Sequence, residues 1–231
     1  MHKTKIEWTD WSWNPIKGLC PVGCWYCYAR KMYKRFHLPL ELAWDGRVPI
    51  LSNKKPSKIF VCSTIEMFHP QIPKEWRDRI FRTIEAEHNR KHTFQILTKM
   101  PENIDRPMPD NCWIGTTITS PEDFESRSYH LGKKEIRARV KFWSIEPMLG
   151  DIIVPMLDKD GSWKYITEEE KIQWVVIGRL TGYGHKYDPK WDWINHIVSY
   201  ARHYHIPVFL KDNLIPIMGK EYIMKFREYP K

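Results

Sequence analysis

Short apolar runs, rich in β-forming residues and alternating with amphipathic helical patterns, predict an α/β fold with a parallel sheet. Three observations carry this. The runs are almost continuously apolar, as strands buried on both faces are. The stretches between them are longer and polar, with helical stripes. No internal repeat, low-complexity tract or obvious linker interrupts the 231 residues, so one domain over residues 1–231 is expected.

The first strand is expected near Trp13–Ile16. A cysteine-bearing loop, residues 18–30, follows it. Lys58-Ile-Phe-Val-Cys-Ser63 and Thr93-Phe-Gln-Ile-Leu-Thr98 read as the next two strands. Between them Pro73-Lys-Glu-Trp76 begins a helix with Trp76, Ile80, Phe81 and Ile84 on one stripe. Cys112-Trp-Ile-Gly-Thr-Thr-Ile118 is a further strand, and Ser120 then caps a helix with Pro121 at its first position. Val140-Lys-Phe-Trp-Ser-Ile145, Trp174-Val-Val-Ile-Gly178 and Pro207-Val-Phe-Leu210 complete the strands. Asp160-Gly161 reads as the tight turn of a small hairpin insertion. A helix starts at Asp188-Pro-Lys-Trp191, with Ile194, Ile197, Val198 and Ala201 facing inward. Six to seven strands of this kind suit a full or partial parallel β/α (TIM-like) barrel.

In such barrels chemistry sits at the C-terminal strand ends. Here those ends carry Ser63-Thr-Ile-Glu66, Thr98-Lys99, Thr116-Thr117, Ser144-Ile-Glu146, Arg179-Leu-Thr181 and Lys211-Asp-Asn213. Lys99 and Glu146 directly follow apolar runs, which places them near the barrel mouth.

The formal net charge is +9. Such a surplus favours anionic partners, nucleic acid above all, although many basic proteins bind none. Twelve tryptophans are many for this length. Most read as core or groove lining, while Trp8-Thr-Asp-Trp-Ser-Trp13 has the makings of a stacking wall for a base. No apolar run of about 18 residues is present to span a membrane. The start, Met1-His-Lys-Thr-Lys-Ile-Glu-Trp8, lacks the apolar core of a signal peptide, so a cytoplasmic location is expected.

Five cysteines occur, at 20, 24, 27, 62 and 112. An odd number, with three clustered, argues against a disulfide framework and for metal binding. A structural zinc ion would need a fourth ligand, from His37, His69, Cys62 or Cys112, at no zinc-ribbon spacing. A redox pair, Cys24 and Cys27, leaves Cys20 idle. Three unrelated buried thiols suit poorly a loop with Gly18, Pro21 and Gly23. Four-iron clusters are held by thiolates, and three ligands would leave one iron open to substrate.

Cys20-x3-Cys24-x-Tyr26-Cys27 resembles the motif of the radical S-adenosylmethionine superfamily. The wider chain is similar to a phage-associated three-Cys-motif family distantly similar to spore photoproduct lyase. The residues carrying this are Ile6-Glu-Trp-Thr9, Trp13-Asn-Pro15, Cys27-Tyr-Ala29, Phe60-Val-Cys-Ser63 with Phe68-His69, Leu97-Thr-Lys99, Ser144-Ile-Glu-Pro-Met-Leu-Gly150 and Trp174-Val-Val-Ile-Gly178. The resemblance implies a partial β/α barrel holding a [4Fe-4S] cluster and S-adenosylmethionine. It implies reductive cleavage of the cofactor to methionine and a 5′-deoxyadenosyl radical that abstracts hydrogen from substrate. It also implies an external electron donor, and relatives are often encoded beside a partner protein. Members of that group often carry Gly-Gly-Glu-Ser-Gly where this chain reads Gly178-Arg-Leu-Thr-Gly182. No carboxylate role transfers there, and Arg179 suggests a more anionic substrate.

The same resemblance assigns roles. Cys20, Cys24 and Cys27 ligate iron, with Tyr26 beside the cluster. Ser63, Thr64 and Glu66 match the segment that meets the amino group of the cofactor, and Lys99 the lysine that meets its carboxylate. Thr117 and Glu146 are candidates for ribose hydroxyls or substrate, although Glu146 reads equally well as the buried partner of an arginine or lysine. Cys62 lies near the position of a hydrogen-donating cysteine in photoproduct lyase; free cysteine in a strand is otherwise core. A nucleic acid or nucleotide is the expected substrate. The alternative is a zinc-stabilised nucleic-acid-binding protein without catalysis.

Overall fold

A computed structural model describes residues 1–47, 55–152 and 172–231. The expected turn at Asp160-Gly161 lies outside the described residues. The chain divides into two compact units, Met1–Ile114 and Gly115–Lys231. It is a mixed α/β protein, and among the described residues its eight ladder strands are mostly parallel.

In the first unit β1 (His2–Lys3) pairs antiparallel with β2 (Trp11–Trp13). Parallel pairing then runs from β2 to β5 (Lys58–Val61) and from β5 to β6 (Thr93–Thr98). The first parallel strand therefore ends at Trp13 rather than reaching Ile16. Pro15 is the physical reason, since it has no N–H to give a ladder. Ile16 instead opens a separate strand, β3 (Ile16–Lys17), antiparallel to β4 (Ala43–Trp44). Helix α1 (Tyr28–Arg35) lies between those two strands in sequence. Helix α2 (Lys74–Glu85) buries Ile80, Phe81 and Ile84, as its stripe predicts. Trp76 is half-buried against Trp44, 6.3 Å between ring centres.

The second unit takes in the end of β7 (Cys112–Thr117) and holds β8 (Val140–Ile145), β9 (Trp174–Ile177) and β10 (Val208–Leu210). β8, β9 and β10 pair in parallel. Every residue of β8 and β9 is buried, the burial expected of strands covered on both faces. The helix Trp191–His203 buries Ile194, Ile197, Val198 and Ala201. Ser120 caps the helical segment that begins at Pro121, its hydroxyl accepting the N–H of Asp123 at 3.3 Å. Among the described residues no pairing closes the strands of either unit into a barrel. No helix among them is long and apolar enough to cross a membrane.

Two of the three tryptophans of the N-terminal stretch are taken into the core, while Trp11 is half-buried. Trp8 and Trp13 are 2% and 1% exposed, against Phe60 and Phe94. Indole rings supply large apolar area, and core packing claims them here.

Packing in the second unit is tight enough to test. A methyl group on Gly115 would fall 2.5 Å from the ring of Phe142, itself buried against Trp174. Gly115→Ala should destabilise the protein by about 1–3 kcal/mol. A lower urea midpoint with an unchanged slope would show it, and an unchanged midpoint would contradict the packing.

Candidate metal centre

The cysteine loop is an excursion closed at its base by the β3–β4 pair. One more rung follows, from the N–H of Leu19 to the carbonyl of Leu40, 2.8 Å. Gly18 sits beside it with φ +106°, and a side chain there would come 2.3 Å from the carbonyl oxygen of Glu41. Only glycine fits both conditions. Its N–H donates to the hydroxyl of Tyr33, 3.0 Å, which ties the loop to the inward face of α1.

Cys27 stands at the start of α1, its N–H turned back to the carbonyl of Cys24, 3.2 Å. The guanidinium of Arg30 donates to the carbonyl of Cys20, 3.1 Å. These contacts bring Cys20, Cys24 and Cys27 onto one small pocket, with Thr64 also in its wall. All three thiols are half-exposed and unbridged, whereas Cys62 and Cys112 are buried.

The ends of β5 and β6 complete the surroundings. The N–H of Glu66 donates to the sulfur of Cys20, 3.4 Å. Burial pushes the Cys20 thiol up, while this bond and one from the backbone at Val22 oppose the shift. The Glu66 carboxylate is 5% exposed as part of a buried residue. One oxygen accepts the Thr98 hydroxyl at 2.7 Å and the Phe68 N–H at 3.1 Å. The other accepts the N–H of Lys99 at 2.6 Å. Burial raises its pKa, and the Lys99, Thr98 and Phe68 donors work against that rise. The Lys99 ammonium lies 5.7 Å from the ring centre of Tyr26, so the strand-end lysine and the motif tyrosine face each other.

Ser63 is held in two ways. Its hydroxyl donates to Asn14, 3.1 Å, and its carbonyl accepts the Tyr28 hydroxyl, 3.2 Å. Cys62 occupies left-handed backbone, φ +55°, where its N–H donates to the carbonyl of Trp13 at 2.9 Å. Burial pushes its thiol far up, and it is not among the residues that line the pocket.

Thr117 and Glu146 belong to the second unit. Thr117 is buried, its carbonyl accepting Arg127 at 2.7 Å. The Glu146 carboxylate is ion-paired to the ammonium of Lys211 and packs over Gly178. A lysine partner is one of its two expected readings, although Glu146 is half-buried rather than buried. Arg179 does not present a free cation to an anionic substrate. It donates to the carbonyl of Asn213 and to Asp188 at 2.7 Å, and Asp188 also meets His185 at 2.7 Å. Two acceptors within the same unit engage the guanidinium.

Sequence reading passed over Tyr33, Arg30 and Thr98 as site residues. The first two act on backbone groups, for which side-chain identity gives little signal. Thr98 was visible only as a polar strand end. Among the described residues no three His, Cys, Asp or Glu side chains stand close enough to hold a single metal ion. A family model described as a protein of unknown function, DUF5131, matches residues 3–214. No curated protein and no solved structure matches the chain.

The Glu66 arrangement yields a test. Glu66→Gln places an amide among three donors, so at least one hydrogen bond is lost. Stability should fall by roughly 1.5–3 kcal/mol. A denaturant midpoint equal to wild type would show that the carboxylate is not holding the strand ends.

Proposed function

We propose that this chain, which belongs to the DUF5131 family of proteins of unknown function, is a radical S-adenosylmethionine enzyme in which Cys20, Cys24 and Cys27 ligate a [4Fe-4S] cluster. The observation that carries this is the convergence of the three motif cysteines on one small pocket that also takes in Thr64, just beyond the end of β5. The donor set fits. Thiolates are the ligands such clusters use, and an N–H bond to sulfur, as from Glu66 to Cys20, is a recognised means of tuning them. Each thiolate would hold a different iron, so the three need not crowd around one ion as zinc requires. That favours the cluster over the zinc-stabilised binding protein. When bound, the cluster and S-adenosylmethionine would supply one-electron cleavage of the sulfonium C–S bond, giving methionine and a 5′-deoxyadenosyl radical that takes hydrogen from substrate.

The chain's own residues then have distinct tasks. Lys99 offers a cation beside Tyr26, suited to a carboxylate such as that of the cofactor. Thr64 stands in the pocket wall beside the cysteines. Glu66 is a positioning residue, because its oxygens already take three donors and leave it poorly placed to receive an ammonium. Ser63 fixes the first turn of α1 through Tyr28. Cys62 keeps its proton, as a hydrogen-atom donor must, but its burial sets it back from the pocket. The mostly parallel strands are read as an open, partial β/α barrel, and the electron as coming from a donor outside the chain.

The decisive assay is anaerobic reconstitution with iron and sulfide, then S-adenosylmethionine and dithionite, with 5′-deoxyadenosine quantified. Wild type should bind about four irons per chain and release 5′-deoxyadenosine, and Cys24→Ala should lose both. Zinc in place of iron, with no product, would overturn the proposal.

A further inference from the structure

Eight large hydrophobic side chains are conspicuously exposed among the described residues, and five of them fall between residues 25 and 40. They are Trp25 at 54%, Tyr28 at 60%, Phe36 at 60%, Leu38 at 36% and Leu40 at 58%. The same stretch carries Arg30, Lys31, Lys34 and Arg35, and no acidic residue occurs from Tyr28 to Leu40. Lys34 and Arg35 are exposed at the last turn of α1, with Arg35 5.4 Å from the Phe36 ring centre. Trp25 lies inside the cysteine motif, so this surface adjoins the pocket.

We infer that the cysteine loop and α1 form a docking surface for single-stranded nucleic acid, which names the substrate class of the proposed enzyme and in that sense rests on that reading. Two physical arguments select this occupant. Exposed rings interleaved with cations are what single strands need, because every base has a face to stack and every phosphate a charge to neutralise. A protein-binding patch of comparable apolarity would be depleted in lysine, and this one is not. The formal charge of +9 supplies the long-range attraction. Tyr28 and Phe36 bracket a helix of eight residues, about 12 Å long, so the rings are spaced along a path rather than gathered in one cluster.

The test measures fluorescence anisotropy of labelled single-stranded DNA and RNA 20-mers over a salt series. It uses the cluster-loaded protein and, in parallel, cluster-free Cys24→Ala. The probe variant is Lys34→Glu with Arg35→Glu. The control, Lys220→Glu with Lys225→Glu, makes the same change in net charge on exposed residues of the second unit. The probe should weaken binding at least tenfold and flatten the salt slope by about 1.4, for two lost phosphate contacts. The control should change affinity less than threefold. Phe36→Ala should weaken binding several-fold even at high salt, where stacking persists. Equal losses from probe and control would overturn the inference, as would absence of binding at low salt. Binding confined to anionic vesicles, or self-association abolished by Phe36→Asp, would assign the surface to another occupant and overturn it too. Binding without cofactor cleavage would sink the enzyme reading alone; cleavage without binding would sink only this surface.

Discussion

The Glu66 carboxylate takes three donors at once inside the protein, and the first unit is organised around it. Thr98 and Lys99 come from the end of β6, and Phe68 from the chain beyond β5. A buried carboxylate is expensive unless its oxygens are satisfied, so the three donors are obliged to stay. The consequence is that two strand ends are fixed to each other where a parallel sheet would otherwise leave loose loops. The backbone of the same residue reaches the sulfur of Cys20. One residue thus couples the strand ends to the cysteine loop, and a shift in one moves the other.

The loop is held by a second, independent device. β3 and β4 are only two residues each, too short to be stable alone, yet they pin both ends of a long excursion. Gly18 allows the backbones to approach, and Tyr33 locks the glycine to α1. With its base and its helix fixed, the loop can leave three thiols half-exposed without collapsing onto the core. That exposure is what a metal site needs, and it also leaves the rings of Trp25 and Tyr28 in solvent.

Much of this was legible in the residues, and the limits have physical causes. The stripes of Ile80, Phe81 and Ile84, and of Ile194, Ile197 and Val198, reported helices because burial enforces a period. Ser120 and Pro121 reported a helix start because capping chemistry is local. The two-residue strands were silent, since pairs that short carry no period. Strand-end residues were recognised as polar, but polarity does not say where a side chain points. Glu66 turned inward to donors, Glu146 found Lys211, and Arg179 was taken by Asn213 and Asp188. Each depends on at least one partner more than thirty residues away in sequence. Trp8 and Trp13 turned to the core for a related reason, because a short run of tryptophans does not distinguish a core face from a binding face.

The central claim is that three thiolates hold a cluster with one iron left for the cofactor. Electron paramagnetic resonance of the dithionite-reduced protein, recorded before and after adding S-adenosylmethionine, tests it most directly. The account predicts the spectrum of a reduced four-iron cluster whose g-values shift when the cofactor is added. A cluster spectrum indifferent to the cofactor, or no cluster spectrum after reconstitution, would contradict it.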